Sequence, residues 1–328
     1  MKTLLMRAVW VAGLSLFCLN FASAASPPTS FSQAKELSKR HVYFDQNQKG
    51  ALGTLYCGCD WKWVGRSGGR VDHDSCGYKV RAQQTRAERT EWEHIVAASS
   101  LGRQLQCWQN GGRKNCQATS PQFNEMEANL FNLSPVVGEV NADRSNYNMG
   151  IVTPTKRGMY GHCESKTDFK ERTFEPRDEA KGLVARTYFY VYDRYPNLRM
   201  SKQQQKLFMA WDKSYPVTEW ELERDRRIAK IMGHHNEFVT GERTWVLGHK
   251  SQEASTDLFS VSGVTGKTLS SPKASNDSSV IHGNSRSRIY HLSNCPSYNA
   301  MSARNRVEFF SENEALGAGY RKAGNCPN

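Results

Sequence analysis

Residues 90–96, TEWEHIV, set the carboxylate of Glu93 directly beside the imidazole of His94. A carboxylate is a hard oxygen ligand for a cation. An imidazole with a pKa near neutrality can accept a proton from water. Adjacent side chains on a strand point to opposite faces, so a strand alone would part these two tasks. Three further segments carry useful groups. CWQNGGRKNC at 107–116 brackets Gly111, Gly112 and Arg113 between two cysteines. A disulfide there would clamp a tight loop and hold the guanidinium outward; the plainer reading is a surface loop with a solvated arginine. NLFNLSPVVGEVNADRSN at 129–146 crowds Asn141, Asp143, Arg144, Ser145 and Asn146 together, which by itself describes a helix cap and its turn. GHHNEF at 233–238 pairs His234 with His235, but adjacent histidines after a helix stop are more often capping or surface groups than a metal pair. Taken singly, each segment is weak.

The elements that must position these groups are partly legible. FSQAKELSKR at 31–40 suits an opening helix, and residues 50–80, rich in Gly and Cys, read as irregular structure pinned by cross-links. NLFNLSP suits a short strand or extended piece, and VGEVNADRSN a helix start. Capping boxes signal two more helices: Ser201 with Gln204 ahead of Leu207, Phe208 and Trp211, and Thr218 with Glu221 in a run that stops at Gly233. ARTYFYVYDRY at 185–195 fits a strand or a buried helix, its aromatics reading as core rather than as a base-stacking surface. After about residue 240 the composition shifts to Ser, Thr, Gly and Lys. Residues 246–280 read as a flexible linker, and 281–328, which regain apolar and aromatic residues, as a small separate module.

The chain of 328 residues has room for one large domain, 25–245, plus that module. Its formal charge of +12 and pI near 9.3 favour an anionic partner: nucleic acid, acidic membrane or acidic polysaccharide. The N-terminus has the three-part layout of a cleavable secretory signal: Lys2 and Arg7, the apolar AVWVAGLSLFCLNF, then ASAA, with the cut expected after Ala24. The apolar run is short for a membrane span, and no other long one follows, so no membrane partner is expected. Cleavage lowers the formal charge from +12 to +10 and removes Cys18, leaving eight cysteines. An even number in an exported chain reads as disulfides, and the lone C-x-C at 57–59 is poor spacing for zinc.

Together the segments are specific. EWEHIV, LQCWQNGGRKNC, GEVNADRSNYN, DFKERTFEP, ARTYFY, LSKQQQKLF, YPVTEWELERDRRIA and HNEFV resemble, in order and spacing, the bacterial endonuclease I family. These are periplasmic or secreted non-specific nucleases, and the resemblance covers about residues 30–240. It implies an α+β fold with surrounding helices around a ββα-metal finger, in which two strands and a helix grip one divalent ion. On the first strand one neighbour would face the metal while the other reaches the scissile phosphate and its attacking water. The resemblance makes Glu93 and Asn141 ligands of Mg²⁺, with Mn²⁺ and Ca²⁺ as alternatives, His94 the general base and Arg113 a phosphate contact. It reads Asn132 as a brace for the strand that carries His94. Glu127, Asp143 and Arg144 are expected to support the fold or touch substrate rather than act directly. The implied activity is sequence-indifferent hydrolysis of DNA and RNA by a monomer, leaving 5′-phosphate and 3′-hydroxyl ends. A secreted basic protein that binds nucleic acid without cleaving it is the competing reading.

The chain departs from the family pattern at Ala97, Phe131 and Leu222, where proline, histidine and cysteine are common. Leu222, together with a missing cysteine after Val239, fits the loss of one cross-link and leaves six cysteines in the main domain, among which Cys107–Cys116 is the best local pair. The tail resembles the metal-binding domain of the Ada DNA-repair protein. The four ligand positions there read His291, Cys295, Ala323 and Cys326, and alanine cannot bind zinc. A Cys295–Cys326 disulfide is favoured over zinc, and Arg286, Arg288, Arg304 and Arg306 are candidate DNA contacts.

Overall fold

The structure, a computed structural model, describes residues 26–153, 158–251, 280–302, 305–309 and 312–326. The expected signal and most of the expected linker lie outside the described residues. Four strands, β1 (Trp61–Val64), β2 (Gly68–Val71), β3 (Arg89–His94) and β4 (Leu133–Val137), make an antiparallel sheet in that order. The β3–β4 register runs from Thr90 opposite Val137 to His94 opposite Leu133. Between these two strands the chain leaves the sheet through short helices, including Gly112–Thr119 and Pro121–Glu127.

The helix Gly138–Arg144 follows β4 directly and packs on β3 and β4. Gly138 opens it because a Cβ there would come within 2.5 Å of the Arg86 carbonyl oxygen. The helix is also tied down by Glu139, whose carboxylate accepts from the amides of Arg81, Ala82 and Gln83 and from the Tyr78 hydroxyl. A second sheet, of order β5-β7-β6, joins Asn148–Met149 (β5), Lys166–Asp168 (β6) and Thr173–Glu175 (β7).

The ambiguous aromatic run belongs to a helix, Asp178–Arg194, buried at every residue from Ala180 to Val191. A helix buried on all sides loses the apolar–polar alternation by which periodicity is read, and its length exceeds an ordinary strand. The capping-box helices form as Lys202–Ser214 and Glu219–Met232, with Ser201 and Thr218 accepting from the amides of Gln204 and Glu221. Gly233 ends the latter in the left-handed region at φ 78°. Arg186 in the buried helix is neutralised by Glu221 at 2.6 Å and Asp212 at 2.7 Å. Arg224 donates to the carbonyls of Phe131 and Leu133 and to the Tyr43 hydroxyl, which pins the start of β4.

Residues 50–80 hold the β1–β2 hairpin, framed by Cys57–Cys163 and Cys59–Cys76. Cys107–Cys116 ties the helix Gln106–Gln109 to the helix Gly112–Thr119, so Arg113 sits on the first turn of a helix rather than in the tight loop that the sequence suggested. The tail is a small α/β unit: β8 (Ile281–Asn284), β9 (Ile289–His291), β10 (Arg306–Phe309) and β11 (Arg321–Lys322) in order β10-β8-β9-β11, with the helix Glu312–Gly317. Its core of Ile281, Tyr290, Phe309, Ala315 and Tyr320 is separate from the main one, and Cys295–Cys326 closes it. Among the described residues no helix is long and apolar enough to cross a membrane.

Candidate active site

Period-two alternation on β3 sends Glu91 and Glu93 to the face covered by the helix Gly138–Arg144. Trp92 and His94 go to the other face, where Trp92 meets Tyr43 and His94 meets Phe31 of the opening helix, Phe31–Leu37. Both sets reach one cavity of about 680 Å³, which runs along the strand from Thr90 to His94. Glu93, His94, Arg113 and Asn141 all line it, as do Glu91 and Arg144. The acid and the imidazole approach the same space from opposite faces.

Glu93 is buried, and its Oε1 accepts from the Tyr56 hydroxyl at 2.8 Å and lies 3.2 Å from Nη1 of Arg144. Burial pushes its pKa up, and Arg144 and Tyr56 offset this only in part. A desolvated carboxylate that lines the cavity suits a cation. Arg144, also buried, donates to the carbonyls of His94 and Ile95 at 3.1 and 2.6 Å, fixing the strand end. Asn141 has its Nδ2 committed to Glu91 at 2.9 Å, which leaves the oxygen Oδ1 for a hard ion. Glu91 is itself gripped by Arg86 and Arg89.

The His94 ring packs on Phe31 and is oriented by a hydrogen bond from Nε2 to the Glu127 carbonyl oxygen at 2.8 Å. A carbonyl only accepts, so Nε2 carries the proton and Nδ1 holds a lone pair. Burial, opposed by that hydrogen bond and reinforced by Arg113, Arg144 and Lys35, brings the His94 pKa down to about 3. The ring is neutral at physiological pH. The Glu127 side chain accepts from Arg113 Nε at 2.5 Å and from Gln117 at 2.8 Å. The Arg113 side chain stays 42% exposed, with its guanidinium 5.3 Å from the Phe31 ring centre.

Asn132 bonds Val96 twice with its side chain, accepting from the amide at 2.7 Å and donating to the carbonyl at 2.9 Å, just beyond His94. Asp143 turns away from the cavity to Arg81 and Tyr160. His234 bonds Tyr190 and His235 bonds Asp225, so neither belongs to this cavity. Phe131 packs on Tyr190 and His234 beneath the site, Ala97 lines the cavity, and Leu222 is exposed with no cysteine to meet. Sequence reasoning missed Glu91 and Tyr56 and gave Glu127 only a general supporting role. The signal for Glu91 was present, since it stands two residues before Glu93 on a strand.

The profile of the endonuclease I family matches residues 30–242. A periplasmic deoxyribonuclease of Aeromonas hydrophila is 43% identical over 230 residues, 70% of this chain and 95% of the relative. An extracellular deoxyribonuclease of the same organism is 47% identical over 187 residues, 57% of this chain and 80% of the relative. Endonuclease-1 of Buchnera aphidicola is 43% identical over 211 residues, 64% of this chain and 80% of the relative. With 30–242 matched in sequence and the α+β fold in place around the cavity, the chain belongs to the endonuclease I family.

Proposed function

We propose that this protein is an exported endonuclease that hydrolyses phosphodiester bonds of DNA, and of RNA, in the periplasm or outside the cell. The observation that carries the reading is the convergence of four groups on one cavity: a buried carboxylate, an oriented amide oxygen, a neutral imidazole and a guanidinium. The unit β3–β4–Gly138–Arg144 would then be the ββα-metal finger, with Glu93 and Asn141 holding the ion. Nucleases of this family depend on a divalent metal, and an all-oxygen pair with room for water fits Mg²⁺. When bound, the ion supplies positive charge at the phosphate and the departing 3′ oxygen.

His94 takes the proton of the attacking water on Nδ1 once the negative charge of a bound phosphate offsets the burial that lowers its pKa, and the Glu127 carbonyl steadies the imidazolium through Nε2–H. Arg113, on the first turn of a helix tied down by Cys107–Cys116, orients the phosphate with the guanidinium nitrogens that Glu127 does not hold. Arg144 and Tyr56 keep Glu93 in place without entering the reaction. Phosphate contacts carry no base information, which suits sequence indifference. Incubation of plasmid with the purified protein and Mg²⁺ should yield nicked and then linear products with 5′-phosphate ends, and EDTA should abolish them. Stable binding with no cleavage at any divalent ion would instead leave a non-catalytic nucleic-acid-binding protein.

A further inference from the structure

The segment DFKER at 168–172 has no role in the chemistry above, yet it is hydrogen-bonded to Asn146, which lines the candidate cavity, and makes a ledge beside it. It is the tip of the β6–β7 hairpin. The tip lies beside the end of the finger helix, since the Asn148 amide donates to the Arg172 carbonyl at 3.2 Å. The Arg172 guanidinium donates to Oδ1 of Asn146 at 3.0 Å, and Asn146 and Ser145 line the cavity. The same guanidinium covers the Tyr147 ring at 4.8 Å, and Tyr147 meets Phe169 edge to face at 6.5 Å. The other neighbour of Phe169 is Arg81, 4.8 Å from its ring centre and forked onto Asp143 of the finger helix.

The outcome is an aromatic pair set between guanidinium groups, with Phe169 left 41% exposed and Lys170 and Arg172 exposed beside it. Glu171 offsets one of these charges, while Asp168 is turned into the amides of Lys170 and Glu171. Arg172 holds this geometry at φ 50°, a left-handed conformation that costs a non-glycine residue some strain. Aromatic rings interleaved with cations match a polynucleotide, whose sugars and bases present flat faces between phosphates.

We propose that this ledge, resting on the nuclease reading, binds the stretch of nucleic acid that flanks the scissile phosphate. Lys170 and Arg172 hold flanking phosphates, and Phe169 packs against a sugar or base. The ledge thereby sets how much a long substrate gains over a short one. Its rigid link to the finger helix through Asn146 and Asp143 keeps the flank in register with the site.

The test measures binding of a fluorescein-labelled duplex in EDTA, where no cleavage occurs, between about 50 and 200 mM salt. Lys170→Ala and Arg172→Gly should each weaken binding and flatten the slope of log Kd against log salt by about one. Glycine suits the positive φ of Arg172, so that variant keeps its fold, and Arg172→Lys should restore the slope. Phe169→Ala should weaken binding about tenfold with the slope intact. In kcat/KM the losses should concentrate on long duplex rather than on a dinucleotide. Unchanged affinity and slope in all three variants, or equal losses on duplex and dinucleotide, would overturn the ledge. Failure of the wild-type protein to cleave would refute the nuclease reading while leaving the binding measurement valid.

Discussion

Glu127 acts on the site with two different atoms, and the two can be separated by mutation. Its main-chain carbonyl fixes the proton on Nε2 of His94, and its carboxylate holds Arg113. Glu127→Gln keeps the carbonyl and loses only the charged acceptor. Its effect should run through Arg113, as a drop of about tenfold in kcat/KM expressed mainly in KM. His94→Ala removes the proposed base and should lower kcat by about 10²–10⁴-fold while duplex binding persists. Steady-state rates and anisotropy on both variants check the pair, and full activity of His94→Ala at neutral pH would sink the assignment. That Glu93, His94, Arg113 and Asn141 gather at one cavity was legible because side-chain type and motif order mark them as a set. Tyr56 and the Glu127 carbonyl were not. They reach the site across 37 and 33 residues of chain, and a main-chain oxygen has no signature in sequence.

The elements around the site were legible where they expose a face and illegible where they are buried on all sides. The capped helices at 202 and 219 announced their ends, whereas Asp178–Arg194 could not be told from a strand by pattern alone. The cysteine count announced cross-links but not all of their partners. Cys57–Cys163 closes a loop of 106 residues and adjoins Tyr56, which holds Glu93. Replacing both cysteines by serine should cost about 4 kcal/mol of stability, and activity should fall with it as Tyr56 loosens. An unchanged urea midpoint together with unchanged activity would refute this.

A second element-scale device is Glu175 on β7, which accepts from Lys181 at 2.9 Å, Lys166 at 3.1 Å and the Val152 amide at 2.9 Å. Burial works against its charge, but these donors outweigh burial and hold the carboxyl below the ordinary 4.5. The unfolded chain takes up the proton first as pH falls. The stabilisation is therefore complete above about pH 4.5 and is lost below it. Glu175→Gln should cost roughly 3 kcal/mol at pH 7, and its gap from wild type should narrow as the pH falls below the ordinary 4.5. A gap independent of pH in urea unfolding would show that the charge plays no part.

At the scale of the whole molecule, the family match ends at residue 242 but the packed unit continues. Trp245 stacks on Phe189 at 4.9 Å, and His249 stacks on Trp245 and bonds Asp193 at 2.7 Å. A truncation that spares the catalytic unit has to fall after Lys250 rather than at the compositional shift near 240. We propose that the module beyond 280, with its own sheet and core, serves as a second handle on nucleic acid and takes no part in hydrolysis. A tethered second contact raises the local concentration of substrate without altering the chemical step. Ending the chain after Lys250 should leave kcat at saturating DNA intact and raise KM several-fold at low salt. The advantage of the full chain should shrink as salt rises, because phosphate contacts fade. His291, Cys295 and Cys326 cluster within 4.8 Å, but the two sulfurs are bonded to each other and Ala323 offers no ligand. Metal analysis of the oxidised chain without its signal should therefore find zinc far below one equivalent and no free thiol. A tightly bound zinc per chain, or a truncated protein unable to cleave at saturating DNA, would place the module inside the working site.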